Sequence, residues 1–288
     1  MLIPKLPDFY VDDIIKTALA EDINYIDVAT DSLFTSDVRG AAEFIAKESG
    51  VLAGIDIALR VFSALNADIV TTALFADGER VARGDVIASI RGGTAAMLKA
   101  ERTALNLLQH MSGIATLTRA CADAVAGTRA VIADTRKTLP GLRGLQKYAV
   151  LCGGGSNHRF NLSQAAMLKD NHIDACGGIA HAVAAVRQCA GHTVAVEVEV
   201  RDSEQLRQAI EAGADIVMLD NMSVEAMREA VNRVVESAKT SGIRPKLEAS
   251  GNITLENIAA VADTGVDIIS IGALTHSVKA MDISMKWK

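Results

Sequence analysis

From about Arg129 onward the chain alternates short, mainly apolar runs with stretches of helical length. The runs are RAVIAD, AAML, TVAVEV, ADIVML, PKLEA and VDIISIG. Runs this short and this apolar read as strands buried on both faces, and strands separated by helices lie parallel, because an antiparallel partner needs only a tight turn. This number of βα units predicts a barrel more readily than an open sheet. Aromatic residues make up only 3% of the chain while half of it is apolar. The core is therefore built from Ala, Val, Ile and Leu, as parallel sheet under helices requires. The same composition, with a formal net charge of −6, argues against an aromatic stacking platform or a general nucleic-acid binder.

Up to about Met111 the pattern is less regular. Residues 11–20 read as a helix with Asp12 and Asp13 complementing the dipole of its first turn. GAAEFIAKESGVLAG and TTALFADGERVARGDVIASIRG read as strands with glycine-bearing turns. A helix is predicted from about Thr94 to Met111, with Met97, Ala100, Ala104, Leu108 and Met111 on its apolar stripe and Arg102, Asn106 and Gln109 opposite. The opening MLIPKLPDFYVDDII lacks a basic segment followed by an apolar run, and no apolar stretch approaches the ~20 residues of a membrane span. Cys121, Cys152, Cys176 and Cys189 show no Cys-x-x-Cys spacing, which fits reduced thiols. A soluble, cytoplasmic protein without membrane or nucleic-acid partners is expected.

Function is concentrated between Asp134 and His172. Seven Lys and Arg fall between Arg129 and Lys169, in an otherwise acidic chain. Buried cations without partners cost several kcal/mol each, so such an island stays in water or meets an anion. The residues at the ends of the successive runs are Arg136 and Lys137, Lys169, Glu199, Asp220, Ser250 with Gly251, and Gly272. In a βα barrel all C-terminal strand ends open on one face. These cations, carboxylates and small-residue turns thus converge on one mouth suited to a strongly anionic ligand.

Arg136, Lys137, His158, Arg159 and Lys169 suit carboxylates or phosphates, through charge-assisted hydrogen bonds worth about 1.5–3 kcal/mol each. Arg129, Arg143 and Lys147 read as solvated surface. Glu199 and Asp220 either hold Mg²⁺, which favours hard oxygen ligands, or pair with neighbouring cations. Glu197 shares the inward parity of Glu199 and reads as a core partner of a lysine. The glycines of EASGNI and SIGALTHS stand at strand ends ahead of helices, where backbone N–H groups and the helix dipole cradle phosphate. Gly153, Gly154 and Gly155 would let the backbone turn so that His158 and Arg159 reach the pocket. His172 and His276 fit a capping or core role as well as a site role.

The segments ERTALNLLQHMSGIAT, DTRKTLPGLR, KYAVLCGGGSNHR, MLKDNHI, EVEV, MLDNM, SGNI and GALTHS occur in this order over nearly the whole chain. Together they resemble the quinolinate phosphoribosyltransferase family. The resemblance implies an α/β fold with an N-terminal α/β sandwich domain over residues 1–111, rejoined by the tail 275–288. An open, incomplete, TIM-like α/β barrel would span 112–274. It implies transfer of phosphoribosyl from phosphoribosyl pyrophosphate to quinolinate with decarboxylation and Mg²⁺, giving nicotinate mononucleotide for NAD biosynthesis. Arg136, His158, Arg159 and Lys169 would hold the quinolinate carboxylates, with Arg102 reaching in from the neighbouring subunit of a homodimer (in some members, a hexamer). Lys137, Lys169, Glu199 and Asp220 would be catalytic. Lys137 and the metal pair Glu199 and Asp220 would serve the pyrophosphate side, and Ser250, Gly251, Gly272 and His276 the 5′-phosphate.

One departure from the family pattern is Ile26, standing where a glycine commonly precedes the aspartate, here Asp27; it puts the local loop in question. Two rivals keep the same architecture or site. A molybdenum-transport-associated paralogue would lack the lysine of LKDNH, and a non-catalytic phosphate sensor would need neither the metal pair nor Arg102.

Overall fold

The computed structural model describes residues 3–34 and 38–288; Met1 and Leu2 of the opening segment lie outside them. The first elements are α1 (Asp8–Asp22), α2 (Val28–Leu33), β1 (Arg39–Ala46), β2 (Gly50–Val51), α3 (Ile55–Leu65), β3 (Val70–Ala73), β4 (Arg80–Val81), β5 (Val86–Gly93) and α4 (Thr94–Ala124). Next come β6 (Val131–Ala133), α5 (Arg143–Cys152), β7 (Ala166–Leu168), α6 (Asp170–Ala175), α7 (Ile179–Cys189), β8 (Val196–Val200), α8 (Ser203–Glu211), β9 (Ile216–Asp220) and α9 (Val224–Ser241). The last are β10 (Lys246–Ser250), α10 (Ile258–Ala262), β11 (Ile268–Ser270), α11 (Ala273–His276) and β12 (Ile283–Trp287). Among the described residues no helix is long and apolar enough to cross a membrane.

Contacts divide the chain into two compact units. The first comprises residues 1–119, 138–154 and 273–288. Its main sheet is antiparallel in the order β12-β1-β5-β3, so the C-terminal strand closes onto β1. Helix α1 begins three residues before the predicted start, after Pro7, whose fixed φ suits a helix entry. All five predicted stripe residues of α4 are fully buried. The helix runs thirteen residues beyond its predicted end at Met111, passing through Gly113. A Cβ on Gly113 would lie 2.2 Å from the Lys279 carbonyl. That glycine therefore lets the C-terminal tail approach and does not mark a break. Ile26 has no left-handed backbone, and Asp27 caps α2 by accepting the Thr30 N–H at 2.9 Å. The loop thus needs no glycine before Asp27. Lys147, expected on the surface, is buried on α5.

The second unit comprises residues 120–137 and 155–272. All six predicted runs form one parallel sheet in the order β6-β11-β10-β9-β8-β7. The first strand pairs with the last, while β6 and β7 remain its two edges, so this is a barrel left open on one side. Strand periodicity places Glu197 and Glu199, then Ile216, Met218 and Asp220, on one face of β8 and β9. Lys246, Glu248 and Ser250 of β10, with Ile268 and Ser270 of β11, share it, as the lining of the unit's two main cavities shows. Alternate residues such as Val198, Val217, Leu219, Leu247 and Ala249 are fully buried on the other face.

Candidate active site

At the C-terminal strand ends the inner face encloses a cavity of about 300 Å³. Thr135, Arg136, Lys137, His158, Arg159, Met167, Lys169, Glu199, Met218, Asp220, Ser250 and Ser270 line it. A second cavity of about 450 Å³ is lined by the first residues of β6, β9, β10 and β11, namely Val131, Ile216, Lys246 and Ile268. It therefore opens at the opposite strand ends. His158 and Arg159 border both cavities.

The cationic wall is built on main-chain anchors. Asp134, fully buried just after β6, accepts the His158 N–H at 2.8 Å, and Ser156 bridges to Ala133. Gly154 supplies the positive φ of +87° that turns the chain toward this segment. The His158 ring is held at both nitrogens. Nδ1 accepts the Arg159 N–H at 2.8 Å, so the hydrogen-bond network assigns the ring proton to Nε2. Nε2 lies 3.1 Å from a carboxylate oxygen of Glu197 and 3.6 Å from one of Glu248. Glu197, read from the sequence as the partner of a lysine, is thus a partner of histidine. Arg159 donates from Nη1 to the Ala165 carbonyl at 2.9 Å, while its buried Nε has no acceptor among the described residues. Burial lowers the pKa of this guanidinium, the Arg136 charge lowers it further, and Glu197 opposes both.

The acidic wall faces these cations. The Glu199 carboxyl is raised above the usual range, first by burial and then by the Asp220 charge, with Lys169 acting against them. The Lys169 ammonium lies 3.7 Å from Glu199. Lys169 caps α6, and the His172 ring accepts its N–H at 3.2 Å. The capping role for His172 is therefore the observed one. Of the two alternatives for the carboxylates, pairing with a cation is the one seen for Glu199, whose partner is Lys169. Glu199 lies within β8, one residue before its end, and Asp220 ends β9.

Beyond β10, Gly251 has φ +94°, and a Cβ there would lie 2.2 Å from the Asn221 Oδ1. Asn221 and Asn252 are the only non-glycine residues with positive φ among those described. Asn252 donates to Asn221 at 3.0 Å, and Asn221 to Asp220 at 2.9 Å. This asparagine chain was not anticipated; both are residue types that tolerate left-handed backbone at strand ends. The expected helix dipole is not there. Helix α10 starts seven residues after Gly251 and has five residues, and α11, after Gly272, has four. Any phosphate cradle here is made of loop backbone and hydroxyls. Arg102 and His276 belong to the first unit, both exposed. The His276 Nδ1 is 2.5 Å from the Ser277 hydroxyl.

The models of the quinolinate phosphoribosyl transferase N-terminal and C-terminal domains match residues 27–112 and 114–286. The chain belongs to the quinolinate phosphoribosyltransferase family. It is 47% identical over 265 residues to a probable nicotinate-nucleotide pyrophosphorylase (carboxylating) of Bacillus subtilis, covering 92% of this chain and 89% of that one. It is 40% identical to a mitochondrial quinolinate phosphoribosyltransferase (decarboxylating) of Nicotiana tabacum, covering 98% and 84%. Among solved structures, the nicotinate-nucleotide pyrophosphorylase of Francisella tularensis superposes with a TM-score of 0.93 at 40% identity, covering 100% and 99%. Within this family frame, Arg136, Lys137, His158, Arg159, Lys169, Glu199, Asp220 and Ser250 meet in one cavity, with Gly251 next to Ser250. Glu248 was missed. The inward parity it shares with Ser250 in KLEAS is the signal that would have found it.

Proposed function

We propose that the protein transfers phosphoribosyl from phosphoribosyl pyrophosphate to quinolinate with loss of CO₂, acting as a cytoplasmic homodimer in NAD biosynthesis. The observation that carries this is the pairing of two guanidiniums with an opposed acidic pair in one cavity of about 300 Å³ at the strand ends. Arg136, Arg159 and Lys169 bind the two carboxylates, and the open Nε–H of Arg159 is a donor for one of them. His158 belongs to this wall, and Arg102 reaches it from the partner subunit. Lys137 lies on the pyrophosphate side. Ser250, Gly251 and Gly272 receive the 5′-phosphate.

Glu199 and Asp220 would hold Mg²⁺, whose charge, when bound, stabilises the departing pyrophosphate. As the C1–oxygen bond breaks, C1 becomes oxocarbenium-like and the pyridine nitrogen bonds to it. Lys137 stabilises the developing negative charge on the leaving group. The ring is then cationic and retains the electron pair of the C2–carboxylate bond as CO₂ leaves, after which C2 takes up a proton. Lys169 and the two arginines hold the ring in register throughout, and no covalent enzyme nucleophile is needed. Alanine at Arg136 or Lys169 should abolish quinolinate turnover in a protein that still folds; normal turnover in either variant would refute the assignment.

A further inference from the structure

Beneath the cationic wall lies a cluster that this mechanism leaves without a role. Glu197 and Glu248, at 2% and 1% exposure, rise from β8 and β10 on the inner face one layer below Glu199 and Ser250. With His158 they bring three donor atoms within 4.8 Å of one another. Two buried carboxylates so close are unfavourable unless a proton or cation lies between them. The Nε2–H of His158 donates to Glu197, and the same nitrogen lies 3.6 Å from Glu248, an electrostatic contact beyond hydrogen-bond range. Since its Nδ1 accepts the Arg159 N–H, neither ring nitrogen is available to a ligand in this arrangement. The imidazole is a strut between the carboxylates below and the Arg159 backbone above. Asp134 locks the base of that strut, and Ala165 fixes one arm of the guanidinium. Glu197 also counters the mutual repulsion of Arg136 and Arg159.

We propose that Glu197 and Glu248 are positioning residues which, acting through His158, aim the Arg159 guanidinium and set the affinity of the site for an aromatic dicarboxylate. This inference rests on the assignment of quinolinate to the cavity. It predicts a selective effect. The cluster supports the carboxylate-binding wall from below, whereas the phosphoribosyl pyrophosphate side is built from Ser250, Gly251, Glu199 and Asp220.

Calorimetric titration of the intact protein with quinolinate and, separately, with phosphoribosyl pyrophosphate and Mg²⁺ tests it, with the thermal midpoint reporting the fold. Glu197→Ala should weaken quinolinate by about tenfold or more, the lower range for a hydrogen bond to a charged group, and Glu248→Ala, which loses the electrostatic contact at 3.6 Å, by about threefold or more. Phosphoribosyl pyrophosphate should change by less than about twofold, because it makes no contact with the strut. Glu197→Gln keeps an acceptor for the Nε2–H and should restore quinolinate binding to within about threefold of wild type. Should Glu197→Ala not fold, Glu197→Gln and Glu248→Ala carry the test. Unchanged quinolinate affinity in the alanine variants, or equal weakening of both ligands, overturns the proposal. So does a metal ion that co-purifies with wild type and is lost in these variants, since the cluster would then be a metal centre. A wild-type protein that does not bind quinolinate at all removes the functional assignment and this inference with it. Wild-type binding with equally good binding by every variant removes the inference alone.

Discussion

Replacing Glu248 by Gln should change how stability depends on pH, and the structure fixes the sign. The carboxyl is pushed up from its ordinary 4.5 to about 7, mainly by burial and next by the Glu197 charge, with His158 opposing. Below about pH 4.5 it is protonated in both folded and unfolded states. Between about 4.5 and 7 the folded protein keeps a proton that the unfolded chain has lost, so this group's contribution to stability falls as pH rises. Above about 7 the penalty is constant. A shift of this size corresponds to about 3 kcal/mol between the two limits. Part of that is offset where His158 and the arginines relax around the charge, so a measured difference of about 1–3 kcal/mol is expected. Glutamine mimics the protonated acid in shape and acceptor capacity. Below about pH 4.5 the variant should match wild type, and at pH 8 it should be the more stable of the two. Urea denaturation from pH 4 to 8 measures this as the difference between the two stability curves, in which titrating groups remote from Glu248 cancel. Parallel curves would show that Glu248 ionises normally in the fold, and the buried-cluster account would fail.

Three further outcomes follow from the site. Gly251→Ala places a Cβ 2.2 Å from Asn221 at a φ of +94°; a stability loss of about 1–3 kcal/mol is expected, with a raised KM for phosphoribosyl pyrophosphate, and an unaffected variant would show that this turn is not constrained. Asp220→Asn removes one of two carboxylates facing the cavity and should cut turnover by about a hundredfold or more at low Mg²⁺, with partial recovery at high Mg²⁺. A loss that Mg²⁺ leaves unchanged would count against the metal pair. Arg102→Ala and Lys169→Ala proteins, each inactive alone, should regain about a quarter of wild-type activity when refolded together, because half the dimers are mixed and each holds one intact site. No recovery would place Arg102 in its own subunit's site or outside any site.

The sequence was legible where one strand's residues decide the matter, and less so where two distant segments meet. The six parallel strands were visible because each is a short, mainly apolar run with no competing helical period. The strand-end residues from Arg136 to Gly251 followed from the barrel rule alone. Glu197 was placed on the correct face, yet its partner was misassigned, because His158 comes from the segment between the sheet's two edge strands, whose path no periodicity reveals. Lys147 looked like surface because charge is a poor guide to burial on a helix packed within its unit. The break expected near Met111 failed because Gly113 serves a close approach by the C-terminal tail, which lies some 170 residues away in sequence. The dipole expected beyond Gly251 failed because six residues of loop, 252–257, separate it from α10. In each of these cases tertiary contact overrode a local rule.

The most direct test of the central claim is product formation from quinolinate and phosphoribosyl pyrophosphate with Mg²⁺, following nicotinate mononucleotide and CO₂ in the same reaction. The account predicts that both appear in equal amounts, and that nicotinate in place of quinolinate gives neither, because it lacks the second carboxylate that the cationic wall engages. A folded protein that forms no nucleotide from quinolinate, or that uses nicotinate equally well, would contradict it.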